Sequence, residues 1–169
     1  MKYIGIALLV CICVISCKDE NDPLPIVNAE DRYNVAFDSL LANFNRDYLK
    51  LNPLTATQIG DTLYNDTLPN VLTERYRVQL TNFCEDYQRR LNNYKENTMS
   101  VDQIISKRLI AWECDMTLKR LSFPTHLIPL NQFTSLHHTM AQLAGGTGGQ
   151  PFKTVKDYNN WNKRVSNYI

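Results

Sequence analysis

The sequence has few of the residues that metal and imidazole chemistry requires. It contains three histidines, and two of them, His137 and His138, are adjacent. The zinc-peptidase motif His-Glu-x-x-His does not occur in the 169 residues. Between Met116 and Lys156 there is no aspartate or glutamate to act as a base beside the histidine pair. The sequence therefore predicts no catalytic residue, no metal ligand and no cofactor in this chain.

The chain also lacks a block of like charge. Eighteen basic and seventeen acidic side chains leave a formal net charge of +1. Without a basic patch the protein cannot follow a phosphate backbone, and its aromatic residues recur at three- and four-residue intervals that are typical of core packing. These absences exclude a nucleic-acid partner.

The first sixteen residues, MKYIGIALLVCICVIS, form the pattern of a signal peptide. One lysine precedes an apolar run from Tyr3 to Ile15, which is too short to span a bilayer comfortably. The following Cys17 completes VISC, which resembles a bacterial lipobox, so we expect residues 1–16 to be cleaved and Cys17 to carry lipid. A plain signal peptide or an N-terminal anchor helix is the alternative.

Residues 17–28 begin with CKDENDPLP, which predicts a flexible, solvated tether. The Lys-Asp-Glu after Cys17 resembles the export tag of certain bacterial surface lipoproteins, and a simple hydrophilic spacer is an equal alternative. We expect a lipid-anchored protein of the bacterial cell envelope, on the outer membrane and facing outwards if the tag is genuine.

Helical periodicity dominates residues 29–169, and no useful strand-like alternation occurs. A first helix is predicted from Ala29 to Leu51, with Asn28 as its N-cap. A brief helix follows from Pro53 to before Gly60, then a loop over 61–70, and a long helix runs from about Leu72 to Tyr94. The fold class is therefore all-α, an antiparallel, bundle-like helical subdomain.

The next predicted helix has apolar residues on two opposite faces. It opens with Ser100 and Gln103 in the spacing of a capping box. One face carries Val101, Ile105, Leu109, Trp112 and Met116, and the other carries Ile110, Cys114, Leu118 and Leu121. Two apolar faces predict a central helix that is packed on both sides.

The last helix begins after its predicted cap, Thr154, and its apolar stripe is still in phase at the final residue. We therefore expect the chain to be truncated at its C-terminus, and we expect Trp161, Val165 and Tyr168 to expose apolar surface. The preceding glycine run, GGTGGQ, lacks the Gly-Lys-Ser/Thr ending of a phosphate loop and predicts a flexible link.

Two pairs of residues remain as candidates. On a helix, His137 and His138 lie roughly 80° and 180° from the centre of the buried stripe, so they do not face one ion; they are candidates for cleft-lining. Cys84 and Cys114 would sit at one height in a hairpin folded near residue 99. They form either a disulfide or a pair of buried thiols.

Several segments together resemble the N-terminal region of the bacterial domain-of-unknown-function family 885. The first is FDSLLANFNRDYLKLNPLTATQIGDTLYNDTLPN, and IPLNQFTSL and QPFKTVKDYNNWNKRVSNY follow it in order. Family members are longer, are commonly secreted or lipid-anchored, and resemble zincin-type metallopeptidases whose zinc helix lies far downstream.

The resemblance implies that residues 29–169 are a non-catalytic helical portion, one wall of a cleft for a peptide-like substrate. The missing C-terminal region of the same domain would be its partner, and zinc would bind there. The alternative is a self-sufficient helical surface lipoprotein that binds a peptide or glycan for uptake.

Overall fold

The computed structural model describes residues 32–128, 130 and 135–168. Within these ranges the chain forms six α-helices and no strand, which confirms the all-α fold class. The signal peptide, Cys17 and the tether lie outside the described residues. Among the helices described, none combines the length and the apolar character needed to span a bilayer.

The six helices are separated by connections of very different lengths. They are α1 (Val35–Leu51), α2 (Pro53–Gln58), α3 (Glu74–Leu91), α4 (Val101–Leu121), α5 (Leu136–Ala144) and α6 (Val155–Ser166). Two single 3₁₀ turns, Glu96–Thr98 and Thr125–Leu127, lie at the two ends of α4.

Helix α1 begins later than its apolar periodicity predicts. The side chain of Asn34 caps it by accepting a hydrogen bond from the amide of Phe37 at 3.0 Å. The side chain of Gln103 in α4 holds this cap, because its oxygen accepts from the Asn34 amide and its nitrogen donates to the Asn34 carbonyl, both at 3.0 Å. The predicted N-cap, Asn28, lies outside the described residues, but residues 32–34 are not helical. A contact from a distant helix thus sets the start of α1.

Other predicted helix boundaries are confirmed. Ser100 and Gln103 form the complete capping box at the start of α4. Thr154 caps α6, and Asp157 completes a second capping box there. Pro53 opens α2, and Gly60 follows it with a positive φ of 88°, which favours glycine.

The main core lies among α1, α3 and α4. Helices α3 and α4 form an antiparallel hairpin: Arg77 near the start of α3 donates to the carbonyl of Leu121 at the end of α4. At the closed end, Lys107 donates to the carbonyl of Tyr94 at 2.6 Å. The buried residues of this core are Phe37, Leu40, Cys84, Tyr87, Leu91, Met99, Ile110 and Cys114.

The second apolar face of α4 is exposed, so the prediction of a helix packed on both sides is wrong for the part of the chain described. Ile110 and Cys114 face the core, whereas the opposite stripe contacts no other described core cluster. We call this face the α4 stripe; its members are exposed by 39–61% and are Val101, Ile105, Leu109, Trp112 and Met116.

A smaller core joins α5 and α6. Met140 and Leu143 of α5 and Leu68 are buried, and Trp161 and Val165 of α6 pack against them. Trp161 and Val165 are partly buried against this core, so the expectation that they expose apolar surface is confirmed only in part. Tyr168 alone of the expected three is exposed, by 43%.

Candidate functional site

The candidate site is a surface groove around the segment 68–71. Three neighbouring cavities of about 220, 370 and 470 Å³ form it, and they share lining residues: Pro69 and Tyr76 border two of them, and Leu54, Val71 and Leu136 border two. We call it the 68–71 groove. It runs from the first turns of α3, past the start of α2, to the outer face of α5.

The floor of the groove is apolar. Its central cavity is lined mainly by aliphatic side chains and prolines, which are Leu51, Pro53, Leu54, Leu68, Pro69, Val71 and Leu136. Tyr76 stands at its edge and donates a hydrogen bond from its hydroxyl to the carbonyl of Leu51 at 3.1 Å. Burial raises the pKa of Tyr76 above its ordinary value, so its hydroxyl keeps its proton and this bond well into the alkaline range.

The rim of the groove is polar, and some of its side chains have no hydrogen-bond partner among the described residues. Thr55, Gln79, Thr139 and Gln142 line it and make no side-chain hydrogen bond to any other described residue. Arg75 lies at one end, and none of the described residues that line the groove is an aspartate or glutamate. An apolar floor with a few polar groups on its rim is the usual form of a site for a small molecule or peptide.

A buried arginine supports the groove from below, and the sequence patterns gave no sign of it. Arg164 of α6 has no exposed surface and donates to Thr57 Oγ1, the Tyr64 carbonyl, the Thr67 carbonyl and Gln150 Oε1 at 2.9, 2.6, 3.1 and 2.7 Å. Its acceptors are uncharged, and burial lowers the pKa of Arg164 to about 10. The guanidinium thus fixes the loop before segment 68–71 onto α6.

The sequence did not predict a buried Arg164, because a charged residue beside an apolar stripe such as that of Trp161 and Val165 normally lies in solvent. A signal existed nevertheless: the loop over 61–70 is too polar to pack by itself, so a buried donor was needed for its carbonyl groups.

The glycine run is packed, so the prediction of a flexible link is wrong for its second half. Gly149 has a φ of 87°, and a Cβ atom there would lie 2.9 Å from the Thr57 carbonyl oxygen. A Cβ atom on Gly148 would lie 2.9 Å from Leu143 Cδ2. The next residue, Gln150, is 3% exposed and accepts from Arg164. These glycines let the backbone approach α2 and α5 closely.

The histidine pair lies at the outer end of the groove. His138 lines the cavity beside α5, whereas His137 lies next to it and is not among the lining residues. Their ring centroids are 4.2 Å apart, closer than the helical angles predict, because exposed side chains in a first turn can rotate towards each other. His137 Nε2 lies 3.4 Å from Ser135 Oγ.

The described residues contain no cluster of three or more histidine, cysteine, aspartate or glutamate side chains that could hold a metal ion. Two imidazoles and a serine hydroxyl do not make the three-ligand set with a carboxylate base that hydrolytic zinc requires. What the groove can do chemically is bind, through apolar contact below and hydrogen bonds at the rim.

Cys84 and Cys114 lie side by side in the main core. Both are free thiols, and each is buried. The Cys114 thiol hydrogen-bonds to Cys84 and lowers the pKa of Cys84, while the same contact and burial raise the pKa of Cys114. They lie on the far side of α4 from the stripe, remote from the groove lining.

Comparison with known proteins identifies no similar protein. The chain matches no protein-family model, and neither the curated proteins nor the solved structures include a significant match to it.

Proposed function

We propose that this chain is the N-terminal, helical and non-catalytic portion of a bacterial envelope lipoprotein that is anchored through Cys17. The remainder of that protein is a zinc-dependent, peptidase-like part of the family-885 type and packs against this portion. Zinc and the catalytic residues belong to that remainder, and the 68–71 groove forms one wall of the cleft for a peptide-like substrate.

The α4 stripe is the observation that carries this proposal. Five large apolar side chains follow one another at helical spacing along the helix and remain open to solvent. Contiguous apolar surface of this kind marks a protein interface. The opposite face of α4 already holds the main core, so a covering layer would make α4 the central helix of a larger domain.

The arrangement of Arg164 also supports the proposal. The resemblance to family 885 rests on three segments, and two motifs of the first segment meet the third at this guanidinium. Thr57 belongs to NPLTATQIG, Tyr64 and Thr67 belong to DTLYNDTLPN, and Gln150 opens QPFKTVKDY. A shared polar core gives a physical reason for these segments to occur together.

A second function, a self-sufficient lipoprotein that binds a peptide or glycan for uptake, is favoured by the groove alone. Val71 borders two of its cavities, so Val71→Trp should fill the groove and abolish binding of short peptides, measured by calorimetry. Val78→Trp is the matched control, because Val78 is 47% exposed on α3 and lies outside the groove. Peptide binding by residues 17–169 alone would favour this second function over the first.

The primary proposal is tested by the gene and by one substitution. The reading frame should continue beyond Ile169 and encode a His-Glu zinc helix; a stop codon there would refute the proposal. In the full-length protein, Leu109→Glu should lower stability and peptidase activity, because Leu109 is 61% exposed in this chain and would be covered there. Lys119→Glu, an exposed position in the last turn of the same helix, is the control; it should leave activity unchanged and cost less than about 1 kcal/mol of stability, the usual effect of a negative charge at a helix C-terminus.

The membrane anchor is tested separately. Replacement of Cys17 by alanine should abolish metabolic labelling with palmitate. Labelling that persists in this variant would contradict the lipobox interpretation. Protease treatment of intact cells then tests whether the anchored protein faces outwards from the outer membrane.

A further inference from the structure

Two free thiols face each other inside the contact between α3 and α4. Cys84 is 2% exposed and Cys114 has no exposed surface, and both belong to the main core. They lie close enough for each to shift the pKa of the other. Neither takes part in the groove or in the α4 stripe, so the proposed function leaves them without a role.

The register of the helical hairpin independently places these cysteines opposite one another. Arg77 donates to the carbonyl of Leu121, and these two residues lie seven positions before Cys84 and seven positions after Cys114. Helices that pack face to face have axes about 8–10 Å apart, and small facing side chains such as cysteine permit the closest approach. A sulfur–sulfur bond would therefore join positions that the fold already holds together.

We propose that Cys84 and Cys114 are a modification site, at which thiol–disulfide exchange with an external disulfide closes a bond between α3 and α4. One thiolate of the pair attacks a sulfur of oxidised glutathione, forms a mixed disulfide and releases one glutathione thiolate. The second thiolate of the pair then attacks the protein sulfur of that mixed disulfide and releases the second glutathione thiolate. The pair is oxidised by two electrons, and the two glutathione molecules take up the electrons and the two protons.

Either thiol can make the first attack in this exchange. In the folded protein Cys114 lowers the pKa of Cys84, and Cys84 together with burial raises the pKa of Cys114. Both shifts depend on the contact between the helices, so they do not decide which sulfur attacks once that contact opens. Because neither sulfur touches solvent, exchange requires that the helices separate locally or that the chain has not yet folded. Oxidation should be slow on the native protein and fast during refolding.

The test uses residues 17–169 with Cys17 replaced by serine, so that Cys84 and Cys114 are the remaining thiols. The protein is refolded from denaturant with oxidised and reduced glutathione. We expect a mass loss of about 2 Da, one cross-linked peptide pair that contains both cysteines, and a Tm about 10 °C above the reduced form, since the bond closes a loop of about 30 residues. The same glutathione mixture added to folded protein should oxidise it at least tenfold more slowly.

Cys114→Ala is the matched control and should stop at a stable mixed disulfide on Cys84 with no rise in Tm. Two glutathione adducts on the wild-type pair, cross-linked dimers, or thiols that persist after refolding would each overturn the proposal. Peptide mapping of the wild-type pair decides the question even if the alanine variant does not fold. The result is independent of the proposed function, because no membrane anchor or downstream region takes part.

Discussion

Replacing Arg164 with methionine should destabilise the chain strongly, although the change removes a charge from an apolar helical face. Methionine keeps most of the side-chain volume but donates no hydrogen bond. Thr57, Gln150 and the carbonyls of Tyr64 and Thr67 then lose their donor inside the protein. The loop before the groove would no longer be tied to α6.

The magnitude follows from the burial of this network. A buried uncharged acceptor that loses its donor costs about 1–3 kcal/mol, and four acceptors lose theirs here. Part of this is recovered, since the guanidinium no longer has to be desolvated, a cost already visible in its pKa of about 10. We expect a net loss of about 3 kcal/mol, equivalent to a fall in Tm of about 10 °C.

Urea unfolding followed by circular dichroism measures this loss for the chain from residue 17. Lys163→Met is the matched control: Lys163 precedes Arg164 on α6, its side chain is 67% exposed, and its ion pair with Asp66 spans 3.5 Å. That variant should change stability by less than about 0.5 kcal/mol. An Arg164→Met protein as stable as the control would refute the inference that this guanidinium holds the loop.

Two further predictions concern a tyrosine and a glycine. Burial and the hydrogen bond to Asp47 raise the pKa of Tyr87, so the contribution of its hydroxyl to stability is complete below pH 10 and declines above it. The unfolding free energies of wild type and Tyr87→Phe should therefore differ by about 1–2 kcal/mol at pH 7 and converge above pH 10. A constant difference across that range would contradict the assignment. Gly149→Ala should cost about 2 kcal/mol more than Gly146→Ala, because both glycines have positive φ but only Gly149 lies against the Thr57 carbonyl; equal unfolding midpoints would show that the close approach is not needed.

Local sequence signals predicted most of the helices. Ser100 with Gln103 and Thr154 placed two helix starts correctly, because capping depends on residues within one turn. Pro53 and Gly60 bounded α2 for the same local reason. The start of α1 was misplaced, since Asn34 is selected as the cap by Gln103, which lies far away in sequence.

The site depended on contacts that periodicity cannot predict. Periodicity predicts that a charged residue such as Arg164 is solvated, because its acceptors lie in a loop that is distant in sequence. Composition predicts that the glycine run is flexible, because the contact of Gly149 with α2 is not encoded locally. The groove itself forms where segment 68–71 passes between α2, α3 and α5, so no single stretch of sequence contains it.

The α4 stripe shows that an apolar face predicted from periodicity need not be buried. Apolar residues on two faces predicted two buried faces, but the described residues cover only the face that carries Ile110 and Cys114. Whether a further protein layer covers Trp112 and Met116 decides the proposed function.

Hydroxyl-radical footprinting with mass spectrometry measures the solvent accessibility of these side chains directly, residue by residue. Trp112 and Met116 are 56% and 39% exposed in this chain, so they should be oxidised readily in residues 17–169 alone. In the protein made from the complete natural gene they should be protected at least fivefold, while Tyr33, which is 64% exposed and belongs to neither the α4 stripe nor the groove, reacts equally in both. Equal oxidation of Trp112 and Met116 in the two proteins would contradict the proposal that this chain is one layer of a larger domain.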